Sequence, residues 1–326
     1  MRATRAGRTG KQLIGIDVVR HFLTLMDLSP VELNGLIQRA IDLKREFMAG
    51  HVYEPMRNKT LAMIFEKSST RTRVSFEAGF TQFGGNSIFL SPNDSQFGRG
   101  EPTEDTARVL SGMVDIVVIR TGAHDMVDTF ATYSSIPVIN GLTDSFHPCQ
   151  LLADIQTYTE HRGTIRGRKV AWIGDGNNMC HSWMNAARQF DFNLHIAVPK
   201  GYAPDPGLLA QNRSHVELGD DPLSAAKDAH VVVTDTWVNM GQEQERKSRI
   251  AAFEGFCVDR AVLQQATTDA VFMHCLPAYR GFEVEADVID GPQSVVWEQA
   301  ANRLHAQKAL VEFLMDVPRT EFEQID

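Results

Sequence analysis

Leu61-Ala62-Met63-Ile64-Phe65-Glu66-Lys67-Ser68-Ser69-Thr70-Arg71-Thr72-Arg73 is one apolar run that stops in a polar, cationic turn. The run has the length of a strand buried on both faces. Beyond the turn, Val74, Phe76, Phe80 and Phe83 predict a helix over 72–83, closed by Gly84-Gly85. Working outward, a helix is expected from 28 to about 48, starting at Ser29-Pro30, and further apolar runs fall at 87–90, 115–119 and 137–139. Helical patterns at 104–113 and 126–133 lie between these runs. A long helix begins near Pro148, after which the alternation restarts with runs at 170–173, 194–198, 230–234 and 271–274. This pattern predicts an α/β protein with two doubly wound parallel sheets joined by helices. The expected division is a first domain over 1–150 and a second over 151–294. A C-terminal helix, about 295–326, is expected to pack back on the first domain.

At 326 residues the chain has the length of two domains, and 43% hydrophobic with 22% charged residues excludes disorder. A net charge of −9 argues against nucleic-acid or membrane-surface partners, and no apolar run approaches the ~18 residues of a membrane span. Cys149, Cys180, Cys257 and Cys275 form no CxxC pair, so a reducing, cytoplasmic setting is expected. Arg2, Arg5, Arg8 and Lys11 precede an apolar stretch too short for a signal peptide and read as a basic tail.

Ligands of parallel sheets sit at the carboxyl ends of the strands, and five polar clusters fall at such ends or at helix starts. The 66–73 turn combines unpaired helix N–H groups with Ser69, Thr70 and Thr72 hydroxyls and with Lys67, Arg71 and Arg73. That is a phosphate cradle without Walker glycines, although a capped helix with a solvated first turn has the same composition. Gly174-Asp175-Gly176-Asn177-Asn178-Met179 begins like a dinucleotide fingerprint, but Met179 takes the place of the third glycine. His274-Cys275-Leu276-Pro277 offers a thiol at a strand end, open to reading as a nucleophile or as a buried structural thiol. His147-Pro148-Cys149-Gln150 opens the joining helix, and Asp235 with Asn239-Met240-Gly241 forms a loop that could act as a lid.

Taken in this order, the motifs 69–73, 147–150, 235–241 and 274–277 resemble the aspartate/ornithine carbamoyltransferase family, in its ornithine branch, over residues 20–314. The resemblance implies transfer of the carbamoyl group of carbamoyl phosphate to the δ-amine of L-ornithine, giving citrulline and phosphate, as in arginine biosynthesis. It implies no metal and no organic cofactor. It also implies a homotrimer or dimer of trimers with shared active sites.

Residue by residue, it implies that Ser69, Thr70, Arg71, Thr72, Gln96, Arg120, His147, Gln150 and Arg303 hold carbamoyl phosphate, with Gln96 reaching a neighbouring subunit. Ornithine falls to Asn178, Asp235, Asn239, Met240, Cys275 and Leu276, and Thr72, Arg120, His147 and Cys275 surround the reacting atoms. Asn239 departs from the family's serine, and an isozyme with altered inhibitor sensitivity is one expectation from that change. Competing readings are a carbamoyltransferase for putrescine or an N-acylornithine, a non-catalytic binder, and an NAD-dependent oxidoreductase. The last lacks the third glycine and an acid at the end of the following strand.

Overall fold

The protein is described by a computed structural model over residues 19–91, 100–238 and 243–317. Four parallel strands, β1 (Thr60–Phe65), β2 (Asn86–Leu90), β3 (Ile116–Arg120) and β4 (Val138–Leu142), make the first sheet in the order β2-β1-β3-β4. Its helices are α1 (Pro30–Met48), α2 (Thr70–Gln82), α3 (Thr103–Ser111) and α4 (His124–Tyr133). In α1, Ser29 and Glu32 form a reciprocal capping box ahead of Pro30, and Leu33, Leu36, Ile37, Ala40 and Leu43 make its buried face.

The joining helix α5 (Pro148–Arg162) leads to β5 (Lys169–Ile173), α6 (Asn178–Phe190), β6 (Asn193–Ala197), α7 (Pro206–Asn212) and β7 (Val216–Gly219). The chain continues through α8 (Pro222–Ala226), β8 (Val231–Thr234), α9 (Arg246–Ala252), α10 (Arg260–Leu263), β9 (Val271–His274), α11 (Ala286–Ile289) and α12 (Val296–Leu314). The second sheet, also all parallel, runs β7-β6-β5-β8-β9. The α/β architecture with two doubly wound parallel sheets is therefore present as expected.

Two differences have a common cause. Burial on both faces holds for β3 and β8, but β2 and β7 are edge strands with half-buried and exposed residues. With so little apolar content, β7 gives no run to read, and the short helices α7 to α11 are likewise missed.

One hydrophobic cluster spans both sheets, with Leu33, Phe65, Phe76 and Ile139 from one side and Trp172, Trp183 and Met273 from the other. Separate clusters cover each sheet's outer face. Helix α12 packs against α5, α1 and α2. At its crossing with α2, a β-carbon on Gly79 would stand 3.1 Å from Lys308 Cγ. The strand ends of the two sheets are thus held face to face. No helix among the described residues is long and apolar enough to cross a membrane, and all four cysteines are unpaired.

Candidate active site

The 66–69 turn is built as a helix start. Ser69 is extended and its Oγ accepts the Thr72 N–H at 3.2 Å, leaving Thr70 exposed in the first turn of α2. Of the three cations in this segment, only Arg71 faces the second sheet, where it donates through Nη2 to the Leu276 carbonyl. Lys67 instead pairs with Asp144 at 2.6 Å. Arg73 pairs with Glu77 at 3.1 Å and lies 3.9 Å over the Phe89 ring. The expected triple-cation cradle is corrected on this point, because solvated carboxylates and a ring face outside the site engage two of the three.

Other elements supply the missing charge. Arg120 ends β3, in register with Phe65 of β1, and is only 7% exposed. Arg303 comes from α12 and is buried, donating through Nη2 to Thr72 Oγ1 at 2.7 Å and through Nη1 to Gln150 Oε1 at 2.9 Å. Burial, and then the neighbouring Arg303 and Arg71, push the Arg120 guanidinium down to about 10. Arg303 is likewise held at about 10, chiefly by burial and also by Arg71. These groups remain charged at neutral pH, crowded together and poorly solvated, a state that an anion would relieve.

His147 is the N-cap residue of α5, and its backbone N–H donates to Ser182 Oγ at 2.8 Å. Burial, with Arg303, Arg120 and Arg71 beside it, holds its imidazole well below the usual range, so the ring is neutral and carries one N–H. Its Nδ1, together with Arg120 Nε and Arg303 Nε, is a buried polar atom with no partner among the described residues.

On the second sheet, Asp235 follows β8 and is 4% exposed. Its Oδ1 accepts the Cys275 thiol at 3.1 Å and the Thr236 N–H at 2.8 Å, and its Oδ2 accepts Asn177 Nδ2 at 2.9 Å. Burial, and then Asp235, push the Cys275 thiol well above its ordinary value. It is a hydrogen-bond donor here, not a thiolate nucleophile. Leu276 takes a left-handed φ of 61°, and the Leu276–Pro277 peptide is cis. The Leu276 N–H donates to His274 Nδ1 at 2.8 Å, and His274 Nε2 faces Glu283 at 3.3 Å. Ligating atoms of Asp235, His274 and Cys275 lie within 4.8 Å of one another, and each of these side chains is already engaged.

Asn178 opens α6 but donates to the Thr143 carbonyl at 2.7 Å. The residue that touches Asp235 is its neighbour Asn177, whose Oδ1 also caps α6 by accepting from Met179 and Cys180. The two glycines before it have local reasons. Gly174 has a φ of 140°, and a β-carbon on Gly176 would sit 2.3 Å from the Pro204 nitrogen. Close backbone approach, not a dinucleotide, accounts for them.

Gln96, Asn239 and Met240 lie outside the described residues. Among the described residues, hydrogen bonds join Arg71 to Leu276, Arg303 to Thr72 and Gln150, and Cys275 to Asp235, whereas Asn178 bonds to Thr143. The residues of this turn alone offer Asn177 or Asn178 to a ligand and the family likeness selects Asn178, whereas it is Asn177 that bonds to Asp235. No local pattern marks Asp154 and Gln299, two buried side chains hydrogen-bonded to each other.

Comparison with known proteins identifies the class of α/β protein to which these two parallel sheets belong. The chain belongs to the aspartate/ornithine carbamoyltransferase family: residues 20–160 match its carbamoyl-P binding domain and residues 166–314 its Asp/Orn binding domain. Its relatives include the ornithine carbamoyltransferase of Nitrosococcus oceani, 61% identical over 91% of this chain and 98% of that one. That of Halorhodospira halophila is 60% identical over 91% and 99%. Among solved structures, ornithine carbamoyltransferase from Burkholderia thailandensis is 53% identical with a TM-score of 0.85, over 91% of this chain and 99% of that one. The Pyrococcus furiosus enzyme is 45% identical with a TM-score of 0.89, over 93% and 99%.

Proposed function

We propose that the protein transfers the carbamoyl group of carbamoyl phosphate to the δ-amine of L-ornithine, giving L-citrulline and phosphate. The observation that carries the substrate side is the convergence of Arg71, Arg120 and Arg303 at the helix start of α2, in a protein whose net charge is −9. A small dianion fits that local excess of positive charge. Ser69, Thr70 and Thr72 supply the cradle's hydroxyl and N–H donors, and His147 and Gln150 face the carbamoyl group. Asp235, Cys275, Leu276 and Asn178 serve ornithine, together with Asn239 and Met240 of the adjoining loop.

The amine must attack as its free base, and its ordinary pKa is near ~10.4. The desolvated site and the surrounding arginines favour the neutral form. Attack forms the N–C bond and places negative charge on the carbamoyl oxygen. In this reading Thr72, Arg120 and the neutral His147 ring donate to that oxygen, and a donor of this kind is worth about 3 kcal/mol. Collapse re-forms the carbamoyl C=O and breaks the bond from carbon to the bridging oxygen, so phosphate leaves with the bridging oxygen and takes up the amine proton. Because the thiol of Cys275 is protonated and committed to Asp235, it lines the substrates and forms no carbamoyl intermediate.

The reading extends to a division at about residue 150, with α12 returning to the carbamoyl phosphate side. It also extends to a cytoplasmic setting, and to a homotrimer or dimer of trimers in which Gln96 completes a neighbour's site. Steady-state assays with ornithine, N-acetylornithine, putrescine and aspartate test the acceptor. A preference for any of the other three over ornithine overturns this reading. Sedimentation tests the assembly.

A further inference from the structure

Between the two halves of the site runs a buried chain of hydrogen bonds whose central members, Asp154 and Gln299, have no part in the transfer chemistry itself. Arg303 links Thr72 to Gln150 Oε1 at 2.7 and 2.9 Å. Gln150 Nε2 donates to Asp154 Oδ1 at 2.8 Å, and Gln299 Nε2 donates to the same oxygen at 2.7 Å. The far end of Gln299, its Oε1, accepts the His274 N–H at 3.0 Å, where β9 ends and the turn carrying Cys275 and Leu276 begins. Thr72, Gln150, Asp154, His274, Gln299 and Arg303 are all at most 2% exposed.

The donor logic allows one arrangement. Arginine only donates, so Gln150 must turn its oxygen to Arg303 and its nitrogen to Asp154. A backbone N–H only donates, so Gln299 must turn its oxygen to His274 and its nitrogen to Asp154. The single acceptor Oδ1 therefore fixes two amides that point to opposite halves of the site. Asp154 Oδ2 has no partner among the described residues, and burial pushes the carboxyl up to about 7. A side chain retained for packing alone would be apolar at lower cost.

We infer that Asp154, acting through Gln299, is a positioning residue that sets the register of the Cys275–Leu276 turn against the Arg303–Thr72 side, and so couples the two substrate sites. The inference rests on the carbamoyl transfer reading above. A misplacement of about 1 Å between reacting groups can cost on the order of 10²-fold in rate, which is the scale of effect the chain can control.

The test compares Asp154→Asn, Asp154→Leu and Gln299→Met with the parent protein. It reads kcat, KM, carbamoyl phosphate binding, and the binding of L-norvaline (ornithine without its δ-amine) with and without carbamoyl phosphate. Asp154→Leu and Gln299→Met should lower kcat by roughly 10- to 10²-fold, with carbamoyl phosphate affinity changed about threefold or less. The enhancement of norvaline binding by carbamoyl phosphate should fall about tenfold. Asp154→Asn keeps an oxygen that accepts both amides and should recover most of kcat. Should Asp154→Leu fail to fold, the Asn and Met variants carry the comparison. Parental kcat and coupling in Gln299→Met, or an Asn variant as impaired as Leu, overturns the positioning role. An inactive parent protein overturns the functional reading instead, so the two failures are distinguishable.

Discussion

The turns that follow β1 and β5 are built to one plan and put to different uses. Each leaves a buried parallel strand, caps a helix with a short polar side chain (Ser69 for α2, Asn177 for α6) and points into the cleft. After β5 the polar groups satisfy one another nearby. Asp175 pairs with Arg249, Asn177 with Asp235 and with its own helix, and Gly176 lets the 202–204 backbone close over the turn. After β1, Arg71 crosses to a carbonyl of the other sheet, Thr72 meets an arginine from α12, and among the described residues no carboxylate is hydrogen-bonded to the crowded guanidinium groups of Arg71, Arg120 and Arg303. The first turn is left with a local excess of positive charge. The second has its charges already paired.

The strongest way to break this comparison is Arg71→Ala, which should lower kcat/KM for carbamoyl phosphate by on the order of 10²-fold or more. Norvaline binding in the absence of carbamoyl phosphate should change little. Lys67→Ala and Arg73→Ala are the matched controls. Their charges are engaged by exposed partners, so each should cost less than about fivefold, as surface pairs do. Equal losses in all three variants would return the cradle to the simple sum of charges that composition suggests.

On the other turn, Cys275→Ala should reduce kcat/KM for ornithine by about tenfold, the worth of one buried hydrogen bond to Asp235. Activity should remain measurable, and mass spectrometry of the parent during turnover should find no carbamoylated cysteine. A trapped adduct on Cys275 would sink the donor assignment.

Asp154, between the turns, gives a pH signature. Its folded value of about 7 lies above the ~3.9 of an unfolded aspartate. Between about pH 4 and 7 the folded state therefore holds a proton that the unfolded state has released, and stability attributable to this group falls as pH rises. Relative to Asp154→Asn, the parent should lose up to about 1 kcal/mol per pH unit in that window and nothing further above it. Denaturant unfolding of both proteins from pH 5 to 8 measures the difference. A constant offset would show that Gln150, Gln299 and Arg303 hold the carboxylate ionised throughout.

The smallest expected effect is that of Asn239→Ser. An amide is longer than the hydroxyl of the family pattern, so the parent should bind a phosphonate bisubstrate analogue a fewfold more weakly than the serine variant. Identical ornithine KM and identical inhibition by the analogue in both forms would mark the residue as neutral.

The sequence by itself determined the two parallel sheets and the position of most polar clusters, because buried strands and capped helices leave short-range marks. Runs such as 61–65 and 170–173 are continuous and apolar, and Ser29-Pro30 and Ser69 announce the helices they cap. Likeness to a family supplied Arg120 and Arg303, since neither stands in a pattern that spacing alone would single out. Only the tertiary structure decided which cations serve the site. Arg71 and Arg73 sit two residues apart on one helix, so about 200° of helical rotation directs one to Leu276 and the other to Glu77 and Phe89. It also decided that Asp154 joins Gln150, four residues away, to Gln299, 145 residues away. A hydrogen bond across α5 and α12 depends on how two helices pack, and that packing is set by the whole core.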